Sequence, residues 1–181
     1  MSTTTENKTA IYVTNLGKYN EGYLIGEWLP LPADADEIEA CLERIGINEY
    51  YEEYFITDFD DYTDFNLYDI FGEYSQIEAI SDFVETVENL DDYQKKIISV
   101  LVNDAGYEIE EAIEKEENGG VYFWKGDSMA EVAEYMLEEF GDLDRIPDDL
   151  RQYFDFEAYG RMLETCGSFY LADDGYVEIV C

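Results

Sequence analysis

The sequence has no histidine, and only 10 Lys and Arg among its 181 residues, against 45 Asp and Glu. Without imidazole, mechanisms that use one as ligand, base or acid are excluded. The three cysteines, Cys41, Cys166 and Cys181, stand far apart and form no CxxC pair, so structural zinc and dithiol redox chemistry are not expected. They read as one buried thiol, one near a helix end and one terminal. Long apolar runs are missing: none approaches the roughly 20 residues that cross a bilayer. Met1 to Asn7 is polar, without the hydrophobic segment of a signal peptide, so a soluble, cytoplasmic protein is expected.

Scarcity of positive charge leaves a formal net charge of −35 and a sequence pI of about 4.1. Phosphate backbones and anionic membrane leaflets repel such a surface, which excludes nucleic acid and membranes as partners and favours basic proteins. Charge this large often marks disorder, but disorder also requires few hydrophobic and aromatic residues. Here 46% of residues are hydrophobic and 16% aromatic, including 17 Tyr, 10 Phe and 2 Trp. The chain therefore folds around bulky side chains.

After a frayed tail over 1–7, Ala10 to Leu16 reads as a strand. A glycine-containing turn from Gly17 to Gly22 joins it to a second strand, Tyr23 to Leu29, as a hairpin. Pro30 and Pro32 end it. Asp34 or Asp36 then caps a helix with Ile38, Cys41, Leu42 and Ile45 on one face, stopped by Gly46. Tyr54 to Phe59 resembles a third strand, and Asp58 to Asp69 has no clear period. Ser75-Gln76-Ile77-Glu78 has the spacing of a capping box, followed by the buried stripe Ile77, Ile80, Val84 and Val87. A second helix after Asp91 or Asp92 turns Tyr93, Ile97, Val100 and Leu101 inward. A third, acidic one runs from Glu108 to Glu117. Past Asn118-Gly119-Gly120 come a strand, Val121 to Trp124, and a second capping box, Ser128 to Glu131. This box opens a helix with Met129, Val132, Ala133, Met136 and Phe140 inward, stopped by Gly141. A turn started by Pro147, a helix from Phe156 to Leu163, and strands Ser168 to Ala172 and Tyr176 to Val180 joined by Asp173-Asp174-Gly175 complete the chain. The expected fold class is α+β in three small sections: an N-terminal α+β domain over 8–73, a central helical domain over 74–117 and a C-terminal α+β domain over 118–181. Each is small for an independent core, so end-to-end packing or a partner subunit is expected.

No catalytic signature is present. Gly17, Gly22 and Gly26 match neither a P-loop nor a GxGxxG turn, and Gly119-Gly120 lacks the following Lys-Ser or Lys-Thr. Among 45 acids a carboxylate pair can be drawn anywhere, so pairs carry no information. An EF-hand counted from Asp58 would put Thr63 at the glycine position and Asp69 at the glutamate position, so no calcium loop is present. No catalytic residue, metal ligand or cofactor is assigned.

What remains is the charge itself. One acidic run is ordinarily a solvated helix face, and a halophile could carry charge throughout, though with fewer large aromatics than here. Like charges three or four residues apart destabilise a helix by a few tenths of a kcal/mol, and stability alone would intersperse lysines. A second function for the carboxylates is to imitate phosphates: B-DNA carries one charge per ~1.7 Å of axis, so 35 charges correspond to about 60 Å of duplex. The candidate binding residues are acids of the first two sections, where charge density matters more than identity: Glu49, Glu52, Glu53, Asp58, Asp60, Asp61, Asp64, Asp69, Glu73, Glu85, Glu88, Asp91, Asp92, Glu108, Glu110, Glu111, Glu114 and Glu117.

Two phrases add to this. Ile11-Tyr12-Val13-Thr14-Asn15-Leu16-Gly17-Lys18-Tyr19-Asn20-Glu21-Gly22 and Tyr153-Phe154-Asp155-Phe156-Glu157-Ala158-Tyr159-Gly160-Arg161 resemble the ends of ArdA-type antirestriction proteins, and the likeness runs from about Ile11 to the C-terminus. It implies a DNA mimic, carried by conjugative elements or phages, that occupies the DNA-binding groove of type I restriction–modification enzymes at their methyltransferase and specificity subunits. It further implies an elongated homodimer of three-domain subunits joined through the C-terminal domains. Tyr153, Phe154, Phe156 and Tyr159 are then either a dimer contact or a buried core stripe. The rival readings are an acidic mimic of another kind, sequestering a nucleoid protein or repressor, and an acidic hydrolase.

Overall fold

The computed structural model describes residues 8–180, except for the side chain of Cys166. The expected tail over 1–7 and the terminal thiol of Cys181 lie outside the described residues. The fold is α+β, as expected from the alternation of periods. The chain divides into two compact units, Met1–Lys95 and Lys96–Cys181; the division falls within the section read as helical.

In the first unit β1 (Ala10–Asn15) is the middle strand of an antiparallel sheet, between β2 (Gly26–Pro30) and β3 (Tyr54–Asp60). Alternation assigns the faces: Ile11 and Val13 of β1 and Leu29 of β2 are buried, and helices cover that side. The expected tight turn between β1 and β2 is instead a short helix, α1 (Leu16–Asn20). Asn15 causes it, because its side chain accepts from the Lys18 N–H and caps the turn. Helix α2 (Ala35–Arg44) begins on a complete capping box between Asp34 and Glu37 and ends before Gly46, which sits at φ 82°. The stretch after β3 that lacks a period contains α3 (Leu67–Phe71). Asp61 organises it, accepting from the N–H groups of Thr63 and Leu67.

Helix α4 (Ile77–Glu88) buries Ile77, Ile80, Val84 and Val87, the expected stripe, together with Ser81 and Phe83. The capping box expected there does not form. Gln76 is the N-cap and gives no side-chain bond, while the Ser75 hydroxyl donates to the Phe71 carbonyl at the end of α3. A competing acceptor from the preceding helix thus takes the serine.

The division between units falls within α5 (Asp92–Asn103), which buries Ile97, Val100 and Leu101 as expected. Tyr93, expected inward, is 53% exposed; it stands in the first turn and keeps its phenol in water. The second unit continues with α6 (Ile109–Glu117), β4 (Val121–Lys125) and α7 (Met129–Glu139). Ser128 caps α7 by accepting from Glu131 N–H, but the Glu131 carboxylate accepts from Asp127 N–H rather than closing the box on Ser128. Met129, Val132 and Ala133 are buried and Met136 packs against them. Phe140, expected inward, instead caps the C-terminus of α7, is 63% exposed and lies edge-on to Trp124 at 5.9 Å. Leu137 takes the inward position. After a short 3-10 turn over Leu143–Arg145 come α8 (Asp148–Arg151), α9 (Phe156–Cys166), β5 (Phe169–Ala172) and β6 (Gly175–Ile179). The expected β5–β6 hairpin is present, and the sheet order is β4-β6-β5.

Candidate functional site

The two phrases that single out this sequence are built into the scaffold. Asn15 is fully buried; its Oδ1 accepts from Lys18 N–H at 2.9 Å and its Nδ2 donates to the Ile45 carbonyl at 3.1 Å, tying the β1–α1 junction to the end of α2. Gly17 lies under the Tyr51 ring, 2.5 Å from where a Cβ would stand. Lys18 Nζ donates to Tyr51 Oη at 2.6 Å and pairs with Glu21 at 3.1 Å, and Tyr51 Oη donates to Glu21 at 2.9 Å. The hydrogen bonds from Tyr51 and Lys18 hold the Glu21 carboxyl below its ordinary range, and the bonds with Tyr51 and Glu21 raise Lys18. In the second phrase Asp155 caps α9 by accepting from Ala158 N–H, and Gly160 is buried against the backbone of Met129 at the start of α7.

The carboxylates behave differently. Among the described residues, no Asp or Glu is buried. Of the eighteen candidates, all except Asp61 are exposed. Asp61 is half-buried, and its hydrogen bonds to Thr63 and Leu67 give it a structural task. Asp64 also has a partner. Asp69 and Asp91 are shared with local structure: Asp69 accepts from the Asn66 side chain, and Asp91 from Gln94 N–H. Asp58 and Asp60 are two apart on the edge strand β3, on one face of the sheet. Glu49, Glu52 and Glu53 line the loop leading into that strand, Glu73 follows α3, and Asp92 opens α5. In the second unit Glu108 precedes α6, whose solvent face carries Glu110, Glu111, Glu114 and Glu117 while Ile109 and Ala112 point inward.

Several acids were missed in the sequence. On α4 the exposed face is Glu78, Asp82, Glu85 and Glu88; only the last two were singled out, although the stripe Ile77, Ile80, Val84 and Val87 already dictated the opposite face. On α2 Asp36, Glu37, Glu39 and Glu43 are exposed in the same way. Asp34 and Glu37 of the α2 capping box and Glu78, Asp82 and Glu85 of α4 line one open groove of about 540 Å³. At its floor Ser81 Oγ accepts from Ala33 N–H and donates to Ala33 O. Sequence separation hid this meeting of α2 with α4.

Several bases neutralise acids outside the candidate set. The ion pairs include, among the described residues, Lys18–Glu21, Arg44–Glu27, Lys96–Asp174, Arg145–Asp142, Arg151 with Asp144 and Asp148, and Arg161–Glu157. Hydrogen bonds from Arg44 lower Glu27, and that from Lys96 lowers Asp174. The buried Cys41 is pushed up to about 11, chiefly by desolvation and then by the Glu27 charge. Among the described residues, no group of three or more Cys, Asp or Glu is placed to hold a metal ion, and no helix is long and apolar enough to cross a membrane.

Of the candidate dimer residues, Phe154, Phe156 and Tyr159 are half-buried in one aromatic cluster, with Phe154 at 4.9 Å from Phe156 and 5.9 Å from Tyr159. Tyr153 is 75% exposed beside it.

No single curated protein is similar enough to the chain to be matched with it. The family described as "Antirestriction protein (ArdA)" matches residues 11–178, a span that includes both phrases and nearly every acid described above. With an acidic surface mounted on a scaffold that those phrases build, and a match over almost its whole length, the chain belongs to the ArdA family of antirestriction proteins.

Proposed function

We propose that this antirestriction protein works as a DNA mimic. It occupies the DNA-binding groove of a type I restriction–modification enzyme, at the methyltransferase and specificity subunits, and competes with duplex DNA without making or breaking a bond. The observation that carries this reading is the exposure of the carboxylates: among the described residues no Asp or Glu is buried, and every candidate except Asp61 is exposed. A field of several kT therefore faces any basic cleft. In this proposal the chain acts in the cytoplasm as an elongated homodimer of three-section subunits. The C-terminal section makes the contact, and Tyr153, backed by Phe154, Phe156 and Tyr159, supplies the apolar part.

Displacement of labelled duplex DNA from a purified type I enzyme tests it. The expected result is stoichiometric release, independent of DNA sequence and weakening with salt. DNA binding that is unaffected at low salt overturns the mechanism.

A further inference from the structure

We infer that the exposed part of one face of the β2-β1-β3 sheet, around Trp28, Tyr12 and Asp58, is a docking surface for arginine side chains, which it takes by ring stacking as well as by charge. The inference rests on the DNA-mimic reading for its partner, a basic protein cleft. Tyr12 in the central strand is in register with Trp28 of β2 on one side and Asp58 of β3 on the other. Directly paired residues share a face, so a row Trp28–Tyr12–Asp58 crosses the sheet, with Pro30 and Asp60 in the next row. The opposite face carries the buried Ile11, Val13, Leu29 and Ile56; on this face the end at Thr14 and Phe55 is covered, with Tyr19 and Tyr74 against Phe55, while Trp28, Pro30, Asp58 and Asp60 are exposed.

The rings are held before any partner arrives. The Tyr12 hydroxyl donates to the Gly26 carbonyl at 3.0 Å, and its ring lies over Gly26, where a Cβ would stand 2.6 Å from Tyr12 Cε1. Trp28 meets Tyr12 edge-on at 5.3 Å and 74°. Elsewhere an open sheet face with aromatics stacks nucleobases, but Asp58, Asp60 and a net charge of −35 repel phosphates. A cation is the complementary occupant. The chain's own lysines already use this combination: Lys18 Nζ is 4.0 Å from the Tyr51 centroid while paired with Glu21, and Lys96 Nζ is 4.8 Å from Phe123 while paired with Asp174. Guanidinium is favoured over ammonium because its plane stacks on a ring while its edge donates to a carboxylate.

The test titrates the full chain with octa-arginine and octa-lysine peptides at low salt and follows the two tryptophan indole N–H resonances by NMR. Trp124 is the internal control, since it is buried and its indole donates to Glu178. The expected result is a shift of the Trp28 resonance with octa-arginine and about two- to fivefold tighter binding than octa-lysine. Trp28→Ala abolishes that preference. Trp28→Phe retains it, so the preference is still tested if the alanine variant loses its fold. Equal affinity for the two peptides with an unmoved Trp28 resonance overturns the inference, as does a Trp28 shift produced by a single-stranded oligonucleotide. Displacement of DNA from the restriction enzyme separates this from the mimic reading. A folded Trp28→Ala protein that inhibits as well as wild type overturns the stacking surface and leaves mimicry standing, whereas wild-type protein that displaces no DNA overturns mimicry.

Discussion

Replacing Asn15 with alanine is expected to destabilise the protein by about 1.5–5 kcal/mol while leaving every surface carboxylate in place. Asn15 is 0% exposed and satisfies two backbone groups that belong to different elements. Loss of its Oδ1 removes the cap on Lys18 N–H, worth about 0.5–2 kcal/mol. Loss of its Nδ2 strands the Ile45 carbonyl, in a residue only 2% exposed, at about 1–3 kcal/mol. Asn15→Asp keeps an acceptor for Lys18 but has no donor for Ile45, and adds a buried negative charge to a chain already at −35; it is expected to cost at least as much. Urea unfolding followed by far-UV circular dichroism measures both, with the exposed Glu53→Gln as a control expected within about 0.5 kcal/mol of wild type. An Asn15→Ala protein that also falls within about 0.5 kcal/mol of wild type would refute the reasoning, since water would then be serving both groups.

Gly160→Ala places a Cβ 2.6 Å from the Met129 carbonyl oxygen and 2.9 Å from Ala130 N. In an open helix this change gains about 1 kcal/mol, but against backbone the overpacking costs about 1–3 kcal/mol, so a lower urea midpoint is expected and a higher one contradicts the packing. Cys41, in a Cys166→Ser, Cys181→Ser background, is expected to resist aromatic disulfide reagents in the native state at neutral pH and to react once unfolded. Its thiol is raised from an ordinary 9.0 to about 11, so its contribution to stability is constant below pH 9 and is lost between about 9 and 11; Cys41→Ala should remove that alkaline decline, and a decline of unchanged size counts against this origin. Asp82→Asn with Glu85→Gln relieves the like-charge pairs 78/82, 82/85 and 85/88 on α4 and should raise stability by about 0.5–1 kcal/mol while weakening DNA displacement. A double variant that is less stable than wild type contradicts the first half, and one that inhibits fully contradicts the second.

Elements that depend on one strong period were legible. The α4 stripe, the β5–β6 hairpin and the α+β class follow from apolar spacing and turn residues, and they stand in the structure. Signals that need one side chain to choose between acceptors were not. Ser75 and Ser128 occupy the same kind of four-residue phrase, yet Ser128 caps its helix while Ser75 turns to the Phe71 carbonyl of α3. Because α3 itself has no readable period, nothing in the sequence signals the competing acceptor. Helix α1 was hidden for a related reason: its glycine and asparagines suggest a loop, and only the tertiary bond from Asn15 to Ile45 explains the buried asparagine that caps it.

The acidic surface is legible in total and obscure in detail, and the cause is physical. A core stripe has a phase, because one misplaced residue leaves a cavity or a buried charge. A surface carboxylate has none, since each exposed position tolerates it at a cost of tenths of a kcal/mol. Residues such as Asn15, Gly17 and Gly160 are each determined by a contact shorter than ordinary packing or by a buried hydrogen bond, whereas Glu110 or Glu114 is determined only by facing water. The phrases that identify the family are therefore fixed by architecture, and the surface assigned the inhibition is fixed by sum. Single-site sequence similarity should follow the scaffold, and activity should follow how many carboxylates remain on α2, β3, α4 and α6.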